Sequence, residues 1–135
     1  MDTPPHIVAA AVAALGAVDL FVASDALSRP WSGRIFVQPP YGRAIGAWVA
    51  KLLAEYETGS VSAFVVLLPA RTDTAWFHAF FEHSPRICFI RGRLHFGGAK
   101  GGAPFPSCAV YCGPDKRAFV KAFDSLGFII EGWPS

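Results

Sequence analysis

The stretch Ile35-Phe36-Val37-Gln38-Pro39-Pro40-Tyr41 runs an apolar strand directly into two prolines. Proline has no N–H to give a sheet ladder and holds the chain extended, so the strand has to end at Val37 and turn the next polar groups outward. A rigid platform results. It presents the side-chain amide of Gln38, the carbonyl of Pro39 and the ring of Tyr41.

Outward from this point, helices and strands alternate. Toward the amino end, Thr3 is placed to cap a helix that takes prolines in its first turn, carries Ile7, Val8, Val12 and Leu15, and stops at Gly16. A short strand is expected over 18–23. Toward the carboxyl end, Ile45, Trp48, Val49, Leu52 and Leu53 mark one face of a helix over 44–56. Residues 62–68 form a nearly continuous apolar run between Gly59 and Pro69, the signature of a central strand buried on both faces. A capped helix over 72–81, strands at 87–90, 94–96 and 108–112, a helix near 115–123 and a last strand near 128–131 complete the series. This pattern predicts one α/β domain over 1–135, a three-layer sandwich around a mixed, mostly parallel sheet.

Composition narrows the function classes. The 135 residues are 53% hydrophobic, enough for a sizeable core, and the formal charge of +2 is too small to announce a polyanion partner by itself. Nucleic-acid contact would therefore rest on local clusters of Arg and Lys. No apolar run is long enough for a membrane span, and the acidic, proline-rich start Met1-Asp2-Thr3-Pro4-Pro5 is unlike a signal peptide, so a soluble cytoplasmic protein is expected. Three cysteines, Cys88, Cys108 and Cys112, fit reduced thiols better than a disulfide framework. On one strand Cys108 and Cys112 would share a face yet stand ~13 Å apart, too far for one metal ion to bridge. His78 and His83 read as helix-surface or helix-end residues rather than metal ligands.

The platform has a chemical logic. The exocyclic amine of a nucleobase is a poor nucleophile because its lone pair is delocalised into the ring. Two oxygens gripping its hydrogens, Gln38 Oε1 and the Pro39 carbonyl, would favour an attack-ready geometry, and an aromatic ring would fix the base plane. Such a base is reached by flipping it out of the duplex and stacking it, here on Tyr41. The plain alternative is a Pro-Pro turn closing a strand, with Tyr41 as a core aromatic; the four residues alone leave both open. Between Phe96 and Pro106 lies the glycine-rich segment Gly97-Gly98-Ala99-Lys100-Gly101-Gly102-Ala103-Pro104-Phe105. It reads as a loop where Lys100 could touch phosphate, or as a simple connector.

Five blocks then align with a known family. Trp31-x-Gly33-Arg34-x-Phe36-Val37-x-Pro39-Pro40-Tyr41-Gly42-Arg43, Trp48, Leu67-Leu68-Pro69-x-Arg71-Thr72-Asp73-Thr74-x-Trp76-Phe77-His78, Phe89-Ile90-x-Gly92-Arg93-Leu94-x-Phe96 and Ala103-Pro104-x-Pro106-Ser107 resemble the phage-type DNA N-6-adenine methyltransferases. The resemblance implies a Rossmann-like methyltransferase fold, S-adenosylmethionine as cofactor and adenine in double-stranded DNA as substrate. It places Gln38, Pro39, Pro40 and Tyr41 on the catalytic loop. Thr3 and Pro4 match a cofactor-edge pair, while Asp19 and Asp25 match acidic cofactor positions; a turn or capping role is the alternative for both aspartates. Arg71, Thr72, Asp73 and Thr74 match positions that could meet DNA or anchor the loop around the site, with helix capping the alternative for Thr72 and Asp73; Lys100, outside the matched blocks, is a DNA contact only through the reading of the glycine-rich segment.

This chain departs from the family in two ways. Gln38 stands where the family has aspartate or asparagine, and the stretch between the acidic segment and the catalytic strand is short, so the sheet is expected to be truncated on the cofactor side. Two function classes follow: an active adenine methyltransferase, or a catalytically impaired DNA-binding relic of one. The same loop chemistry would also suit a cytosine amine or a glutamine amide.

Overall fold

A computed structural model describes residues 3–22, 27–96 and 105–132. The chain order is α1 (Pro5–Leu15), β1 (Leu20–Val22), β2 (Gly33–Val37), α2 (Ile45–Glu57), β3 (Val61–Pro69), α3 (Ala75–Ala79) with a 3-10 turn (Phe80–His83), β4 (Arg86–Ile90), β5 (Ser107–Cys112), α4 (Lys116–Phe123) and β6 (Gly127–Glu131). All six strands join one sheet in the order β1-β2-β3-β5-β4-β6.

The sheet is buried because its central strands are apolar on both sides. On β3, Phe64, Val66 and Leu68 face one core with Cys108, Val110 and Cys112 of β5, under Trp48, Val49, Leu52 and Leu53 of α2 and Phe77 of α3. Ala63, Val65 and Leu67 face the other, with Ala109 and Tyr111, under Ile7, Ala11 and Leu15 of α1 and Phe119 and Phe123 of α4. That alternation on a doubly covered strand is what the continuous run 62–68 encodes. Trp31, ahead of β2, is fully buried among the first set: its ring lies 5.6 Å from that of Trp48, Lys51 Nζ sits 5.2 Å over it, and its N–H donates to Glu55 Oε2 at 3.0 Å.

Strand direction is more mixed than the alternation suggests. β1–β2 and β2–β3 pair parallel, whereas β3–β5, β4–β5 and β4–β6 pair antiparallel. The expectation of a mostly parallel sheet is thus corrected: two of five pairings are parallel. A parallel neighbour needs a crossover, usually a helix, and the described part of the β4–β5 connection holds none, so β5 returns antiparallel and wedges between β3 and β4. The helix α4 then carries the chain across β4 to β6.

Three local expectations also change. Residues 94–96 form no strand, though Leu94 and Phe96 are buried in the core beneath α1. Thr3 does not cap α1, whose N-cap is Pro4. The helix expected over 72–81 is shorter, because Thr74 rather than Thr72 or Asp73 is its cap, taking the Phe77 N–H at 3.2 Å. Asp115 caps α4 through the Ala118 N–H at 3.0 Å.

The layout has one functional consequence. β1, β2, β3 and β4 all run the same way, so their carboxyl ends, and the loops that follow them, collect along one edge of the sheet. In open α/β sheets that edge is where ligands are bound.

Candidate active site

The loop after β2 is anchored before it turns. Gln38 N–H donates to the Val22 carbonyl at 3.1 Å, adding one rung beyond the β1–β2 pairing, and the residue is only 7% exposed. Its side-chain oxygen accepts a hydrogen bond from the Thr3 hydroxyl. A carbonyl oxygen has two lone pairs and can accept from two donors at once. Pro39 is buried, Pro40 is exposed, and no hydrogen bond within the described residues engages the Pro39 carbonyl.

Tyr41 is half-buried between two other aromatics. Its ring meets Phe96 at 5.6 Å and Phe105 at 5.0 Å, both edge-on. The Arg71 guanidinium lies over the Phe105 ring, 5.5 Å from its centre. A hollow of about 360 Å³ opens here, bounded by Tyr41, Arg43, Pro69, Arg71, Trp76 and Phe105. Its size falls within the range of small-molecule sites. The phenol oxygen of Tyr41 is buried and has no hydrogen-bond partner among the described residues, and neither does the buried Ser107 hydroxyl. Ser107 is close enough to work against the rise in the phenol's pKa, yet the two oxygens do not meet in hydrogen-bond geometry. Burial dominates and pushes that pKa well above its ordinary value, so Tyr41 contributes a neutral ring rather than a base.

Arg71 is held by its own backbone. The Arg71 N–H reaches back to the Pro69 carbonyl at 2.8 Å, Ala70 N–H donates to Pro106 O at 2.9 Å, and Thr74 Oγ1 donates to the Arg71 carbonyl at 2.8 Å. Thr72 and Asp73 are exposed beside the hollow rather than among the residues that bound it, and the Thr72 carbonyl is 2.7 Å from His78 Nε2. Lys100 and Asp25 lie outside the described residues.

Asp19 is placed elsewhere. It precedes β1, at the opposite end of the strands from the Gln38 loop, and takes the Arg34 N–H at 2.8 Å with the Arg34 guanidinium 3.5 Å away. The backbone hydrogen bond from Arg34, with that residue's charge in support, holds its carboxyl below the usual aspartate value. Its role in the fold is to tie β1 to β2. Thr3, by contrast, reaches the Gln38 loop across more than thirty residues of sequence.

The cysteines are all reduced and buried, with burial pushing the Cys108 and Cys112 thiols up to about 12. Among the described residues no three metal-ligating side chains come together. No helix of the described residues is long and apolar enough to cross a membrane.

Sequence reasoning missed the partners of Tyr41. Phe96 and Phe105 lie in or beside the matched blocks, but no local periodicity says that the two ends of the β4–β5 connection close on one ring from the loop after β2. Among curated proteins, no match to the chain is found. A family model does match, over residues 7–109, a span that holds the Gln38–Tyr41 loop, Arg71 and the Phe96 and Phe105 walls: the chain belongs to the DNA N-6-adenine-methyltransferase (Dam) family.

Proposed function

We propose that the protein transfers a methyl group from S-adenosylmethionine to the exocyclic amine of an adenine flipped out of DNA. The observation that carries this reading is the loop in which Gln38, bonded to Thr3, leads within three residues to Tyr41, a wall of an aromatic-lined hollow that Arg43 and Arg71 also bound. The residues fit the cofactor at that loop, since Thr3, Pro4 and Gln38 offer oxygens and apolar surface at the carboxyl ends of β1 and β2. Asp25, in the segment that follows β1, is proposed to complete the hold. Asp19 is left out of it by its position.

When bound, the cofactor supplies an electrophilic methyl on a positively charged sulfur. Everything else falls to the chain. The base slides against the Tyr41 ring, which fixes its plane at low entropic cost. Gln38 Oε1 and the Pro39 carbonyl receive the amine hydrogens, draw the nitrogen lone pair out of conjugation and stabilise the positive charge that builds on nitrogen as the new N–C bond forms. Neither oxygen is basic enough to keep a proton, so it leaves to water. Arg43 and Arg71, with Thr72 and Asp73 nearby, are proposed to meet the DNA strand around the flipped nucleotide, and Lys100 is proposed as a further contact from the glycine-rich segment.

Thr3 is a positioning residue in this scheme. Glutamine is one methylene longer than the family's asparagine or aspartate, and the Thr3 hydroxyl pins that longer side chain in one place. Thr3→Val should lower kcat about tenfold with little change in KM for DNA, and Thr3→Ser should restore it. Equal rates for valine and serine variants would remove this role.

The test of the main reading is transfer of tritiated methyl to DNA followed by nucleoside analysis. Label in N6-methyladenine is the expected result; label in cytosine, or none from a folded sample, defeats it. A second reading is favoured by one observation. Among the described residues β1 is an edge strand, with nothing outside it to widen the cofactor cradle. On that reading the chain is a DNA-binding relic, and calorimetry with millimolar S-adenosylmethionine should then show no heat.

A further inference from the structure

A second hollow, of about 430 Å³, opens along the same edge of the sheet on the α1 and α4 side. His6 and Pro4 at the start of α1 bound it on one side, Arg91, Arg93 and His95 after β4 on the other, and Leu126 closes it. None of the described residues that line it is acidic. The nearest carboxylate in sequence, Asp124, borders a different hollow beside β6. In a chain of net charge +2, two guanidiniums and two imidazoles around one cleft are a strong local concentration.

The segment that carries them is fixed in place. Arg91 N–H donates to the Leu126 carbonyl at 2.9 Å, and Leu94 and Phe96 are buried at 5% and 4% exposure. Arg93 and His95, on either side of Leu94, are exposed, turned outward by the same alternation that seats Leu94 and Phe96 in the core. A guanidinium on a fixed backbone suits the forked oxygens of a phosphate, and loses less freedom on binding one than a side chain on a loose tail would.

The cleft is tied to the base hollow at two points. Phe96 lies against Tyr41, and Pro4 adjoins Thr3, which holds Gln38. In the sheet β4 stands three strands from β2, hence ~14 Å away, about the rise of four base pairs along a duplex. We propose that this cleft binds the phosphodiester backbone of the DNA flanking the target base, with Arg91 and Arg93 as the principal contacts. The proposal rests on the DNA-methyltransferase reading and adds a footprint separate from the base hollow.

The experiment is fluorescence anisotropy of a labelled duplex with the full chain, titrated over a range of salt concentrations. Arg91→Ala/Arg93→Ala should reduce the slope of log affinity against log salt by about two, on any duplex sequence, and weaken binding at fixed salt by tenfold or more. Arg117→Ala, an exposed arginine on α4 away from the cleft, should leave the slope unchanged. Unchanged slope and affinity in the double variant, with its unfolding transition intact, would overturn the proposal, as would a wild-type chain that fails to bind the duplex at low salt. Displacement of the duplex by inorganic phosphate at matched ionic strength would assign the cleft to a free anion instead. Methyl transfer is not read in this titration. A reduced slope in a protein that methylates nothing leaves the cleft standing without the enzyme, and full activity with an unchanged slope does the reverse.

Discussion

Tyr41→Ala is expected to cut methyl transfer to DNA on the order of a hundredfold, because base–aromatic stacking contributes ~1–3 kcal/mol and a base free to tilt loses its alignment with the donor as well. The loss should fall mainly on kcat, with DNA affinity measured by anisotropy changing far less, since most backbone contacts survive. Truncation also removes two edge-on aromatic contacts, with Phe96 and Phe105, each worth about 0.5–1.5 kcal/mol, so the variant's unfolding has to be measured beside its rate. Tyr41→Phe separates the two effects. It keeps the ring and deletes a buried hydroxyl that has no partner among the described residues, so activity should stay within a few-fold of wild type while stability is unchanged or rises by about 1 kcal/mol. If alanine and phenylalanine variants methylate equally well, Tyr41 does not stack the base.

The largest effect on stability should come from Trp31→Ala, at about 3–5 kcal/mol measured from the midpoint and slope of urea unfolding. Trp31 belongs to no strand or helix, yet none of it is exposed. Its main chain is fastened at both ends, the N–H to Glu55 and the carbonyl to the Ser60 hydroxyl at 2.7 Å, so it joins the chain entering β2 to both ends of the α2–β3 turn. Removing the indole leaves a cavity against Trp48, inside a buried cluster whose fixed members cannot collapse to fill it. A domain of this size has ~5–15 kcal/mol in total, so about a fifth of its stability at the least would go. A measured loss below about 1 kcal/mol would mean that the site repacks and that Trp31 is not a structural plug.

Much of the scaffold was legible in the residues themselves. The run 62–68 required burial on both faces, and β3 sends Phe64, Val66 and Leu68 to one core and Ala63, Val65 and Leu67 to the other. The helices announced by Ile45 to Leu53 and by Asp115 begin within a residue or two of where their patterns place them. Pro39-Pro40 ends β2 at Val37, as the missing N–H groups demand. The segment 94–96 misled, because Leu94 and Phe96 alternate as a strand would while the chain there joins no ladder. Alternation reports which side chains are buried, and burial does not need a strand partner.

What the sequence by itself determined, then, was local: where each element starts and stops, which faces are apolar, and that a stiff loop with an amide, a carbonyl and a ring follows a buried strand. These are properties of periods, caps and prolines within a few residues of one another. Only the tertiary structure decided that β5 turns back to separate β3 from β4, that Thr3 rather than Asp19 comes to Gln38, and that Phe96 and Phe105 close on Tyr41. Those outcomes depend on which distant surfaces bury each other, and a hydrophobic period records that a face must be covered without recording by what.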